Sequence, residues 1–214
     1  MNRLLPWRVP AGDVTAAAAP VAAWALGVIP LTFAVKWTLQ SRLGPNPVEF
    51  LEHYTGDWTL RLLLTTLAMT PLRKLTRLSE PIRVRRVLGL WTYAFLCLHF
   101  SIYLVFDLGF SIVQLGADLV RRTYITLGFT AWLMLLPLAI TSTNAWQRRL
   151  KRRWKTLHQL IYPAAIFGSI HYLWLVKADT REPLIYLAIL LGLLAFRVPT
   201  AGVLSRAEPV RRTD

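Results

Sequence analysis

The sequence has almost nothing from which to build a disulfide, a thiolate metal site or a carboxylate relay. Its one cysteine, Cys97, lies inside an apolar run, where a small packing residue is the ordinary role. No disulfide framework is available, and covalent c-type haem, which needs CxxCH, is excluded. Acidic residues number 11 against 25 lysines and arginines, and none falls deep within an apolar stretch. Proton pumps and ion-coupled transporters usually carry an intramembrane carboxylate, so that class is disfavoured. HExxH, a glycine-rich phosphate loop and a Ser/His/Asp set sharing an aqueous pocket are also missing, so metalloprotease, nucleotide-binding and triad chemistry are not expected. The first 20 residues contain no apolar stretch long enough for a cleaved signal peptide, and cleavage there is not expected.

What is abundant is apolar side chain. Hydrophobic residues make up 55% of the chain and mean hydropathy is +0.42, too apolar for an ordinary soluble domain of this length. A net charge of +14 fits because the cations lie between the apolar runs. Nucleic-acid binding would need them gathered on a soluble face. Measured against the roughly 20 residues that cross a bilayer, six candidate spans emerge: 16–35, 58–72, 87–106, 124–143, 156–176 and 184–198. Arg61, near one end of the second, is expected to snorkel to the headgroups. Lysine and arginine are retained on the cytoplasmic side. With the N-terminus inside, 18 of the 25 cations fall there, six of them in 73–86 and six in 148–155. Removing either short span would put a dense basic segment on the wrong side. The sequence therefore predicts an all-α integral membrane protein, a six-transmembrane-helix bundle with cytoplasmic N- and C-termini. Residues 1–15 form a cytoplasmic segment, 16–198 the membrane domain and 199–214 a cytoplasmic tail. The loop 107–122 is expected to lie as an amphipathic turn on the outer surface.

Ionisable residues within a span mark function by default, and here they are histidines: His99, His158 and His171. His53, in LEHYTGDW, reads as a polar loop residue. Neutral imidazole is the standard axial ligand of haem iron, and two imidazoles from facing helices make an electron-transfer site. His99 lies 12 residues from Val87, about 18 Å, and His171 15 residues from Thr156, about 22 Å. These two share the outer half of the membrane, while His158 is close to the inner interface. A lone histidine in an apolar helix is usually a packing residue, but two at matched depth on different helices favour a haem. His158 and His171, 13 positions apart, are about 140° out of phase on an ideal helix. Pro163 between them is expected to reset that phase by a kink.

The segments TGDWTLRLLLTTLAMTPLRKL, RRVLGLWTYAFLCLHFSIYL and RWKTLHQLIYPAAIFGSIHYLWLVK together resemble the haem-binding membrane subunit of bacterial protein-methionine-sulfoxide reductase, the MsrQ or YedZ family, within the wider ferric-reductase-like membrane domains. The resemblance implies a multi-pass b-type cytochrome of the bacterial inner membrane. It would hold one haem b or two and also FMN, at a site no motif in the chain identifies. It implies an electron-transfer subunit, not an enzyme alone, which takes electrons from a cytoplasmic flavin reductase or the quinone pool. The acceptor would be a periplasmic molybdopterin-containing subunit that reduces methionine sulfoxide in oxidised proteins. On the matching positions His99, His158 and His171 are the haem-associated histidines, with iron as their metal. Oxidase-type relatives carry a second histidine on the third helix, where this chain has Ile112 and Val113. That departure leaves His158 to an inner five-coordinate haem or a flavin-side contact. Arg85 and Arg86 flank the inner helix ends, where guanidinium groups can hold phosphate or carboxylate, although topology signalling explains them as well. The remaining partners are membrane lipid; no nucleic acid is expected. Other readings are a reductase of ferric ion or quinone, and a small non-redox transporter whose histidines only pack.

Overall fold

The computed structural model describes residues 14–77, 80–177 and 179–197. The expected cytoplasmic tail at 199–214, and all but the last two positions of the expected segment at 1–15, lie outside the described residues. Among those described, every regular element is helical: α1 (Val14–Leu39), α2 (Pro47–Thr76), α3 (Glu80–Ile102), α4 (Ile112–Arg121), α5 (Thr123–Ile140), α6 (Asn144–Leu150), α7 (Arg152–Leu157), α8 (Ile161–Leu175) and α9 (Arg181–Ala195). Three segments are long and apolar enough to cross a membrane by length and composition: Ala18–Leu39, Val84–Asp107 and Thr123–Ile140. Helices α8 and α9, at 15 residues each, are about 22 Å long. Helix α2 has the length, at 30 residues, but carries Glu49, Glu52, Asp57 and Arg61 in its first half.

Helix α2 is central. It starts eleven positions before the expected span because Asn46 caps it, accepting from the Glu49 amide while its own Nδ2 donates to the Glu49 carboxylate at 2.8 Å. Pro47 supplies a first-turn residue whose missing N–H costs nothing. In its middle, Leu60, Leu62, Leu63, Leu64 and Leu67 are all buried, as expected of a helix apolar on every side. The buried hydroxyls of Thr55, Thr59 and Thr66 donate to the carbonyls of Leu51, Thr55 and Leu62 at 2.7, 2.8 and 2.7 Å, so these three hydroxyls are satisfied within the helix itself. Leu62 packs with Ala23 of α1 and Val84, Leu88 and Phe95 of α3. Leu60, Leu63, Leu64 and Leu67 pack with Ala131, Leu135 and Leu138 of α5, Ile161, Ala164 and Ala165 of α8, and Leu190 of α9. Small residues let the backbones approach closely. A Cβ on Gly27 would stand 2.1 Å from the Trp91 ring, so only glycine permits that crossing of α1 over α3.

Large apolar side chains remain exposed on the outside of the bundle, among them Val21, Ile29, Leu184, Ile185 and Leu191. A soluble monomer rarely exposes so extensive an apolar surface. Arg61, more than a third exposed, has partners within the bundle. Its Nε donates to Tyr186 Oη at 2.8 Å, which ties α2 to α9, and its guanidinium lies 3.6 Å from Asp57 one turn earlier on α2.

Two irregularities position the site. Helix α3 continues into a π-helical turn, Tyr103–Asp107, a form often found at functional positions. The stretch expected to be an amphipathic turn is the helix α4, capped by Ser111. The stretch expected to be one span from 156 is instead α7, a 3-10 turn at His158–Leu160, and α8. The phase break thus falls on His158 itself, ahead of Pro163.

Candidate functional site

Helices α2, α3, α5 and α8 enclose a cavity of about 210 Å³ that His99 and His171 both line. Their ring centres are 6.3 Å apart with planes at 75°. His99 Nδ1 lies 3.0 Å from the carbonyl oxygen of Glu52, and His171 Nδ1 lies 2.7 Å from that of Tyr124. A carbonyl can only accept, so each Nδ1 carries the proton and each Nε2 is left with a free lone pair. Held in this way, each ring has the tautomer that a metal-binding imidazole needs.

The two supports repeat one pattern. Each histidine bonds a carbonyl on the neighbouring helix and lies over the glycine one turn further along it. A Cβ on Gly56, four residues after Glu52, would stand 3.3 Å from the His99 ring. One on Gly128, four residues after Tyr124, would stand 2.9 Å from His171 Nδ1. The glycines leave the room in which the rings sit.

A haem held between the two rings fits these residues. Two imidazoles on one metal, with metal–nitrogen bonds of about 2 Å and roughly 1.1 Å from nitrogen to ring centre, have centres about 6.2 Å apart. The observed spacing is nearly that. The cavity walls add Leu60, Leu63, Leu96, Phe100, Phe129 and Leu135, an apolar lining suited to a porphyrin face. No group of three or more His, Cys, Asp or Glu side chains able to hold a bare metal ion occurs among the described residues.

The outer rim is polar. His53 is not in a loop, as the sequence reading had it, but on α2, where it lines the rim with Glu52, Asp57, Asp107 and Arg122. Glu52 lies outside the apolar stretch 58–72. Burial, and then the charges of Asp107 and Glu49, raise its pKa to about 7.

His158 is placed apart from this cavity. Its ring stacks on Trp154 with centres 3.9 Å apart, and its Nε2 lies 3.1 Å from Thr141 Oγ1. The Thr141 hydroxyl donates its one proton to the Pro137 carbonyl at 2.6 Å, so it accepts from His158, whose Nε2 must carry the proton. Trp154 Nε1 donates to the Thr141 carbonyl at 3.0 Å, closing the cluster. The sequence reading missed Gly56, Gly128 and the carbonyls of Glu52 and Tyr124. The common offset of four between each carbonyl and its glycine is the one signal that might have been sought.

Residues 55–169 match the family described as ferric reductase like transmembrane component, which sets the class: a helical membrane component of a reductase. Among curated proteins, the chain is 54% identical over 156 residues to the protein-methionine-sulfoxide reductase heme-binding subunit MsrQ of Xanthomonas campestris pv. campestris (strain B100), covering 73% of this chain and 72% of that one. It is 45% identical over 174 residues to the MsrQ subunit of Herminiimonas arsenicoxydans, covering 80% of each. The chain belongs to the MsrQ family of heme-binding subunits.

Proposed function

We propose that this protein is the b-type cytochrome of a methionine-sulfoxide reductase system, with His99 and His171 as the two axial ligands of one haem. The observation that carries the reading is the paired support of the two rings: both Nδ1 atoms spent on backbone carbonyls, both Nε2 atoms free, and centres 6.3 Å apart. Haem b, when bound, supplies a one-electron couple. The chain orients the imidazoles, keeps water from the porphyrin faces with apolar walls and sets the potential through ligation and burial. Two imidazole ligands leave no open position on iron, which suits electron transfer better than binding of a substrate.

In this reading the chain crosses the bacterial inner membrane six times with both ends cytoplasmic. The basic segments 73–86 and 148–155 lie inside and the His99/His171 cavity opens toward the periplasm. The electron acceptor is a periplasmic molybdopterin-containing subunit that repairs oxidised methionine, and the donor is a cytoplasmic flavin reductase or the quinone pool. FMN is the second cofactor in this proposal, carried by family resemblance. The free ring nitrogen of His158 is Nδ1, so a second haem or the flavin would meet it there as a single contact. Absorption spectra of the purified protein test the proposal. A Soret band and a dithionite-reducible α-band are expected, and each is lost from the six-coordinate form in His99→Ala and in His171→Ala. A protein without these bands, or variants that keep them, would refute it.

A further inference from the structure

Haem b is amphiphilic, with two carboxylates on one edge of an apolar ring, and the cavity is polarised in the same sense. Its floor is Leu60, Leu63, Ala131, Leu135 and Ala164, whereas its charged residues gather at the outer rim. Carboxylates pressed into the floor would be desolvated without partners, which is costly, so the acidic edge faces the rim. Three of the rim groups, Glu52, Asp57 and Asp107, are themselves carboxylates and repel it. Among the described residues Arg122 is the one lysine or arginine lining the cavity.

Arg122 is held ready for such a contact. It stands at the break between α4 and α5, where its backbone N–H donates to the Asp118 carbonyl and its own carbonyl accepts from Ile125 at 2.9 Å. Its Nε approaches Asp118 Oδ1 at 3.5 Å, and Asp118 Oδ2 accepts from Tyr103 Oη at 2.6 Å. Tyr103 belongs to the π-helical turn that follows His99. Among the described residues the terminal Nη1 and Nη2 have no hydrogen-bond partner, and they are the pair of donors that a carboxylate accepts side by side.

We propose that Arg122 anchors the haem carboxylates at the outer rim, with Asp118 and Tyr103 as positioning residues that aim it. The inference rests on the haem reading above. The test compares the full-length wild type with Arg122→Gln, Arg122→Lys and Arg121→Gln, the last removing the adjacent cation, which does not line the cavity. Two quantities are measured, the rate of haem loss to apomyoglobin and the midpoint potential. Arg122→Gln should keep the six-coordinate spectrum and lose haem roughly tenfold faster, the size of one charge-assisted hydrogen bond. Its potential should fall, because a positive charge that favours the reduced haem is gone. Arg122→Lys should lie between it and wild type. Equal values for Arg122→Gln and Arg121→Gln in both measurements would overturn the proposal. If Arg122→Gln does not accumulate, Asp118→Asn is measured in its place, with a smaller rise in loss rate expected and an unchanged rate overturning the anchor. A His171→Ala protein that kept its six-coordinate spectrum would refute the haem reading itself, a separate outcome.

Discussion

The His99/His171 cavity and the cluster around His158 use the same side chain in opposite ways. In the cavity, backbone carbonyls take the Nδ1 protons of His99 and His171, and the two rings line one shared space. In the cluster, the Thr141 hydroxyl is already committed to Pro137, so it takes the Nε2 proton of His158 and the ring is packed flat on Trp154. A buried histidine is thus a ligand candidate or a packing residue according to which neighbour claims which nitrogen, not according to its depth. The partners lie 17 to 47 positions away in sequence.

The largest effect that would break this comparison is ligand removal. His171→Ala should abolish the low-spin haem, while His158→Ala should leave the outer haem spectrum in place; equal loss in the two would erase the distinction. Next in size are the glycines. Gly128→Ala should weaken haem binding more than Gly56→Ala, because its added methyl meets His171 at 2.9 Å where the other meets His99 at 3.3 Å. Overpacking of this kind costs about 1–3 kcal/mol, roughly a fivefold change in affinity at the lower end, and haem titration of the two variants would show it. At the other cluster, His158→Ala should cost about 1 kcal/mol of stability through the lost hydrogen bond to Thr141 and the lost stacking on Trp154, readable as a lower thermal midpoint. The smallest effect concerns Glu52. Its pKa is raised from 4.5 to about 7, so the protonated carboxyl fits the fold better than the carboxylate. Stability from this group is fully present below pH 4.5 and declines as pH rises through about 7. Glu52→Gln should flatten the pH dependence of the thermal midpoint in that window, and an unchanged slope would assign it to other groups.

That His99 and His171 come together, with ring centres 6.3 Å apart, was legible because depth follows from counting residues along helices. The helical class was legible from apolar runs, and the family from three motif segments. The start of α2 was present in the sequence as Asn46-Pro47 with Glu49 three positions after the cap, but the apolar ruler began only at Trp58, and His53 was misplaced in consequence. Of the partners of Arg61, Asp57 was readable as an i,i+4 pair, whereas Tyr186, 125 positions away, is a packing outcome that no local pattern reveals. The supports of the site were illegible because two are backbone carbonyls, which have no sequence signature, and two are glycines, which in apolar helices serve many packing purposes. The interruption at His158–Leu160 was placed at Pro163, the residue with the covalent constraint. The third position of a helix tolerates proline well, so the irregularity lies just before it.

The central claim, one haem between His99 and His171, is tested most directly by the electron paramagnetic resonance of the oxidised full-length protein beside its His99→Ala, His171→Ala and His158→Ala variants. With ring planes at 75°, the account predicts a strongly anisotropic low-spin signal in wild type and in His158→Ala, and its conversion to high spin or its loss in the other two. A low-spin signal that survived in either His99→Ala or His171→Ala would contradict the account.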